Sequence, residues 1–235
     1  MDVAQVRAEL EGDRAWRQDE LRFFQNCSAK FENEKEQQQF SRALVLLLYA
    51  HFEGFCKFAF ILYINEVNKI GLTCGSANSS LAASSLNDVF RALRDPAQKC
   101  SVFRKPLPDD TKLHRFARDR EFVERSATIM ERPLLIPEDV VDTESNLKPV
   151  VLRKNLYRLG LKHDQFEDLE GEINRLLEYR NKIAHGAAKD GIDKQTYETL
   201  SAATAEIMTQ IAINIMEALQ NRTYIRGNEV FASTS

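Results

Sequence analysis

The stretch "ALVLLLYAHFEGFCKFAFILYI", residues 43–64, is the most apolar part of the chain and decides its fold. It is long enough to span a bilayer, yet it carries His51, Glu53 and Lys57 near its middle. Three ionisable groups are expensive at the centre of a single membrane span. Since the stretch is apolar nearly all round, it predicts a buried central helix that extends over residues 33–70.

Helical periodicity on both sides of this stretch predicts an all-α fold. Apolar residues recur at helical spacing over 3–30, 86–94, 149–160, 165–184 and 194–221. Gly71, Gly160 and Gly186 stand where three of these helices are expected to end. The helices over 3–30, 33–70, 165–184 and 194–221 are the four major ones, and together they predict a helical bundle.

The middle of the chain, 72–150, is expected to be an irregular, partly helical insertion in a single domain that spans 1–225. The small polar stretch 74–85 predicts a loop. All 6 prolines fall within 95–150, so no long regular element is expected there. The C-terminal residues 226–235 are expected to be a flexible tail.

Composition favours a globular protein and excludes a global attraction to nucleic acid. The chain is 43% hydrophobic and 29% charged, and its formal net charge is −3, so a site for a polyanion would have to be a local patch. The 4 cysteines have no zinc-ligand spacing and are expected to be reduced. We found no signal peptide, no metal-ligand cluster and no cofactor motif, so we expect a cytoplasmic protein without metal or cofactor.

The region 91–120 is locally basic and includes Arg115 and Arg118. Its basic residues alternate with the aromatic side chains Phe103 and Phe116, which suits guidance of an RNA backbone combined with base stacking. An equally open interpretation is a solvated insertion whose charge is balanced by acidic helices.

Tyr49, Glu53 and Lys57 are spaced by four along the central helix and line one of its faces. One interpretation is a Glu53–Lys57 salt bridge on the side of a buried helix. The other is a strip that binds substrate beside Arg180 and His185. His51 faces elsewhere and is expected to be a core or surface histidine.

"EYRNKIAHGA", residues 178–187, contains the candidate catalytic residues Arg180, Asn181 and His185. Arg180 lies seven residues after Ile173, on the apolar stripe of its helix, so it is expected to point toward the core or a partner chain. A titrating histidine can move protons near neutral pH, and an arginine can hold phosphate oxygens. Together they would suit the cleavage of a phosphodiester. Periodicity alone does not decide between this catalytic pair and a salt bridge at the helix end.

A second pair with the same spacing, Arg158 and His163, straddles Gly160, where a helix is expected to end. No polar residue follows Arg158 directly. We therefore interpret this pair as a chance match to the pattern.

"RNKIAHG" resembles the Arg-x4–6-His motif of the HEPN superfamily, whose members are α-helical and include many metal-independent ribonucleases. The resemblance extends to "WRQDEL" (16–21), "LYAHFEGFCK" (48–57) and "DTESNLKPVVLRKNLYRLGL" (142–161), which are similar to a bacterial subfamily linked to defence and RNA-processing loci. It covers most of the chain and is weakest over 72–135.

The resemblance implies a homodimer in which two motifs meet in one cleft and cleave RNA without metal, as a toxin or defence effector. His185 would act as general base or acid, Arg180 would stabilise the charge on phosphate, and Asn181 would orient the phosphate or the histidine. Products would carry 2′,3′-cyclic phosphate and 5′-hydroxyl ends. The resemblance also implies a partner protein such as an antitoxin, and it implies no association with a membrane.

Two other functions stay open from the sequence. The first is a non-catalytic interaction or dimerisation module in which Arg180 pairs with a carboxylate. The second is a nucleotide-binding sensor, although the chain has no GxxxxGK[ST] phosphate loop.

Overall fold

The computed structural model describes residues 2–95, 97, 102, 111–187 and 189–228. Within these residues the chain forms eight α-helices and two short 3₁₀ turns. The helices are α1 (Val3–Ser28), α2 (Glu34–Asn68), α3 (Ser79–Ser85), α4 (Asn87–Arg94), α5 (Thr111–Glu131), α6 (Pro149–Arg158), α7 (Glu170–Ala184) and α8 (Lys194–Gln220); the turns are Glu138–Val140 and Glu167–Leu169. The described part of the chain has no β-strand, which confirms the all-α prediction.

The centre of the molecule is α2, which packs against α1, α7 and α8. Phe52, Phe55, Phe60 and Tyr63 of α2 are almost completely buried in this four-helix core. The four major helices predicted from periodicity therefore form the bundle. α2 has the length and hydropathy of a membrane span, but 56% of its most apolar window is buried inside the protein.

Glycine ends three helices where the sequence placed the stops. Gly71, Gly160 and Gly186 all have positive φ, at 75°, 65° and 69°. This left-handed conformation is costly for residues with a Cβ and is the usual way to terminate a helix. At Gly160 a side chain would also collide with Asn78, because an added Cβ would lie 2.3 Å from its Nδ2.

The insertion is more regular than predicted, and two expectations for it are wrong. Residues 111–131 form the 21-residue helix α5. The prolines restrict only their own neighbourhoods, and none lies between Pro108 and Pro133. Residues 79–85, assigned to a loop, form α3, because Asn78 caps this helix by accepting a hydrogen bond from Leu81 N.

The helix predicted over 165–184 begins later than expected. Residues 167–169 form a 3₁₀ turn, and α7 starts at Glu170. Part of the basic region lies outside the described residues, as do Cys100 and the end of the predicted tail, 229–235. The interpretation of those segments stays a prediction.

Candidate functional site at the C-terminal half of α7

The residues around Gly186 end α7. Ala184 is its last helical residue, and His185 is the cap that follows. Gly186 N donates to Ile183 O at 3.0 Å, and Ala187 N donates to Lys182 O at 2.8 Å. This pair of bonds, closed by a left-handed glycine, is the Schellman arrangement. It places the His185 side chain at the end of the helix.

The segment that follows the motif is fastened to α2. Ile192 is buried, and its N donates to Gln38 O at 2.9 Å. The backbones approach so closely that a Cβ on Gly191 would lie 2.3 Å from Gln38 Cβ. The end of α7 is thereby held against the N-terminal half of the central helix.

Arg180 is half-buried and is held on three sides. Its Nη1 donates to Asn181 Oδ1 at 2.8 Å and to Asn146 Oδ1 at 3.1 Å. Its Cζ lies 5.0 Å from the centroid of the Tyr49 ring, a cation–π contact. Arg180 forms no ion pair within the described part of the chain, and there its Nε and Nη2 donate to no protein atom. That edge of the guanidinium can bind a phosphate through two parallel hydrogen bonds.

Tyr49 is the buried platform beneath Arg180. Its hydroxyl accepts a hydrogen bond from Leu147 N at 2.9 Å. Burial raises the pKa of Tyr49 to about 12; the bond from Leu147 N partly opposes the rise, and the charge of Glu53 and a hydrogen bond to its carboxylate add to it. The hydroxyl therefore stays protonated near neutral pH and can donate to Glu53. Tyr49, Glu53 and Arg180, predicted from separate parts of the sequence, lie together.

The loop 142–148 brings Asn146 to this cluster. Glu144 and Ser145 have positive φ, at 50° and 62°, which costs energy for residues other than glycine. Asn155 holds the start of the loop, because its Nδ2 donates to Asp142 O and its Oδ1 accepts from Asp142 N. Our sequence reasoning did not select Asn146. It lies within "DTESN", but a loop residue has no periodicity to indicate what it contacts.

His185 is exposed, and its imidazole makes no hydrogen bond within the described residues. Its backbone N donates to Asn181 O at 3.0 Å. The Asn181 side chain bonds to Arg180, so Asn181 orients the arginine. Five helical positions separate Arg180 from His185, which corresponds to about 7.5 Å of axial rise and about 140° of rotation. The two side chains therefore leave the helix in different directions.

The remaining predicted substrate-binding residues are Lys57 on α2 and Arg115 and Arg118 on α5. Lys57 is exposed one turn beyond Glu53, and the described residues contain no Glu53–Lys57 ion pair, so the salt-bridge interpretation is wrong. Arg115 and Arg118 lie on α5, which packs mainly against α4. Arg118 Nε donates to Leu93 O at 3.1 Å.

The other histidines have structural surroundings. His51 is buried at the α1–α2 contact, where its Nε2 lies 2.7 Å from Glu20 Oε2 and its ring meets Trp16 edge-on. His163 packs edge-on against Tyr157, while Arg158 Nη1 donates to Val140 O at 3.4 Å. Neither His163 nor Arg158 has a contact like that between Arg180 and Tyr49.

Among the described residues, no group of three or more His, Cys, Asp or Glu side chains could hold a metal ion. Cys27, Cys56 and Cys74 are free thiols. The polar groups nearest Arg180 are two amides and a phenol, and the group among them that can bind an anion is the guanidinium itself.

Comparison with known proteins agrees with the motif and the fold. No curated protein and no solved structure matches the chain. The family model of MAE_28990-like HEPN proteins matches residues 6–224, which include every described helix after the first residues of α1. This match confirms the resemblance inferred from "RNKIAHG", and the chain belongs to the MAE_28990-like HEPN family.

Proposed function

We propose that this protein is a metal-independent endoribonuclease that cleaves RNA at a site shared by two copies of the chain. The observation that carries the proposal is the state of Arg180. Two amide oxygens and an aromatic ring hold its guanidinium, and its Nε–Nη2 edge has no acceptor in the described residues. Keeping a half-buried cation so well oriented, with no ion pair to a carboxylate among the described residues, suits the binding of an anionic group that comes from outside.

In the proposed reaction, one histidine removes the proton from an RNA 2′-hydroxyl, and the oxygen attacks the adjacent phosphorus. The bond from phosphorus to the 5′-oxygen breaks, and that oxygen takes a proton from a second histidine. The products carry a 2′,3′-cyclic phosphate and a 5′-hydroxyl. Arg180 opposes the charge that grows on the non-bridging oxygens.

The need for two copies is supported by the geometry of α7. Because Arg180 and His185 are separated by about 140° around the helix, one copy does not enclose a phosphate between them. Two-fold pairing near the ends of α7 would supply two arginines and two histidines to one cleft. One His185 would serve as base and the other as acid.

The supporting residues divide into two groups. Asn146, Asn181 and Tyr49 contact Arg180, Glu53 interacts with Tyr49, and all four are positioning residues. Lys57, Arg115 and Arg118 would contact the RNA backbone further along the surface, where each contributes mainly charge. We further propose that the protein acts in the cytoplasm as a toxin or antiviral effector, restrained by a partner protein such as an antitoxin.

The test is RNA cleavage by the purified chain in EDTA, with analysis of the product ends. We expect wild type to cleave and to leave cyclic phosphates, and His185→Ala and Arg180→Ala each to lose at least about 100-fold in rate. His163→Ala is the matched control, because His163 follows an arginine at the same spacing. Cleavage by His185→Ala at the wild-type rate would refute the assignment.

The competing function is a non-catalytic dimerisation module. One observation favours it: no side chain in the described residues orients the His185 imidazole, whereas catalytic histidines usually have such a partner. Against it, the expected carboxylate partner of Arg180 is replaced by two amides. The module predicts no cleavage by wild type together with unchanged self-association of His185→Ala.

A further inference from the structure

The solvent-facing side of α5 carries an apolar stripe that the proposed ribonuclease site does not use. Phe116, Val123 and Met130 are spaced by seven and are 64%, 69% and 40% exposed. Arg120 and Ala127, also exposed, lie between them, so the stripe follows the alternating three- and four-residue spacing of a coiled-coil seam. We call these five residues the α5 seam.

The opposite side of α5 packs against α4 and lines a cleft between the two helices. Phe122 and Ile129 face a cleft of about 500 Å³ between α4 and α5, and Ile129 is buried. Arg118, Arg125 and Arg132, also at a spacing of seven, line the same cleft. The helix therefore has one side that packs within the chain and an apolar side that faces solvent.

Charge is unevenly distributed along α5. The first part, 112–120, holds four basic residues and one acidic residue, and the second part, 121–131, holds three acidic residues and one basic residue. Two α5 helices placed antiparallel would bring each basic half against an acidic half. A parallel arrangement would oppose like charges and stack one Arg120 on the other.

We propose that α5 is a self-association helix whose seam pairs antiparallel with the α5 seam of a second copy. In the register that alternates large and small side chains, Phe116 faces Ala127 of the second copy and Arg120 faces Val123 of the second copy. Arg120 now bonds to Glu124 within its own chain at 2.7 Å, and both side chains are more than half exposed. Such a surface pair exchanges partners at little cost.

The strength of this contact follows from its size. A 21-residue helix is about 32 Å long, and pairing along that length falls at the low end of specific interfaces. We therefore expect association that depends on concentration in the micromolar range. The seam lies on a different helix from Arg180, so the contact does not depend on the proposed nuclease site.

The first experiment measures molar mass by light scattering from about 5 to about 500 µM. We expect the mass of wild type to rise with concentration, and Val123→Glu to lower it about twofold at the highest concentration. This halving holds whether wild type is a dimer or two active-site dimers joined through α5. Ile213→Glu, at an exposed position of α8, is the control, and thermal unfolding by circular dichroism checks each fold.

The orientation is tested by charge exchange. One variant carries Arg115→Glu and Arg120→Glu, and the other carries Glu124→Lys and Glu131→Lys. Antiparallel pairing predicts that each variant loses self-association, whereas parallel pairing predicts that the first variant keeps or gains it. An equimolar mixture should regain association, which shows that the loss comes from charge. A single-chain mass for wild type at about 500 µM, or Val123→Glu at the wild-type mass, would overturn the proposal. Loss of cleavage in His185→Ala at the wild-type mass tests the nuclease site alone, and the mass of Val123→Glu tests the α5 contact alone.

Discussion

Arg180 Nη1 donates to Asn146 Oδ1 at 3.1 Å, and this bond joins the motif helix to a loop 34 residues earlier in the chain. The loop reaches this position through left-handed backbone at Glu144 and Ser145. The same loop bonds to Tyr49 through Leu147 N, so α2, α7 and the loop meet around one guanidinium. The strained loop thus helps to orient Arg180.

Replacement of Asn146 should reveal how this bond tunes phosphate binding. Asn146→Asp places a carboxylate about 3 Å from the guanidinium, where it competes with phosphate as an ion-pair partner. We expect RNA affinity, measured by fluorescence anisotropy, to fall about 10-fold or more, and Asn146→Ala to have a smaller effect. Ser145→Asp is the control, because it adds the same charge one residue away. If Asn146 only supported the fold, the near-isosteric Asp would be tolerated better than Ala.

Tyr49→Phe tests the hydroxyl that joins α2 to the loop. The ring stays beneath Arg180, but the buried Leu147 N loses its acceptor. We expect a loss of about 1–3 kcal/mol in the free energy of unfolding, measured in urea. Tyr63→Phe is the matched control, since within the described residues the buried Tyr63 hydroxyl has no hydrogen-bond partner, and its removal should be neutral or stabilising. Equal losses in both variants would contradict the assigned role.

Gly186→Ala tests the helix end that presents His185. At φ of 69° an alanine is strained, so we expect a loss of about 1–2 kcal/mol in unfolding free energy. Gly171→Ala, near the start of the same helix, has no such φ and open space around its Cα, and should gain about 0.4–1 kcal/mol. Because the strain acts at the residue after His185, Gly186→Ala should also slow RNA cleavage. Unchanged stability in urea would show that the backbone turn tolerates a side chain.

His51 predicts a pH dependence of stability. Burial lowers the pKa of His51 below its ordinary value of 6.5, while Glu20 and Asp13 partly oppose the shift and Arg17 adds to it. Below about pH 6.5 the unfolded chain therefore binds more protons than the folded chain, and stability falls as pH drops from 7 toward the folded pKa. His51→Gln should flatten this fall, and Glu20→Gln should steepen it. The measurement is the change in urea midpoint between pH 7.5 and pH 5.5 for wild type and the two variants. The same change in all three proteins would refute the mechanism.

Sequence reasoning succeeded where a pattern is repeated over many residues. The central helix and its three bundle partners follow from apolar periodicity, because burial of a continuous stripe dominates the stability of a helix. The helix ends at Gly71, Gly160 and Gly186 follow from the left-handed backbone that each glycine permits. Such signals are local and need no knowledge of tertiary contacts.

It failed where proline was given too much weight. Six prolines between 95 and 150 suggested an irregular segment, but the interval after Pro108 holds the full length of α5. A proline removes one hydrogen bond and one allowed conformation near its own position. The lesson is that the spacing between prolines, and not their number, limits helix length.

By itself, the sequence determined the all-α bundle, the family motif and the position of His185 at a helix end, since each depends on periodicity or on the turn chemistry of a few neighbouring residues. Only the tertiary structure decided what Arg180 touches. Its partners Tyr49 and Asn146 come from distant segments, and hydrogen-bond geometry depends on where packing places them. The orientation that leaves one edge of the guanidinium without a protein partner is therefore a property of the folded chain.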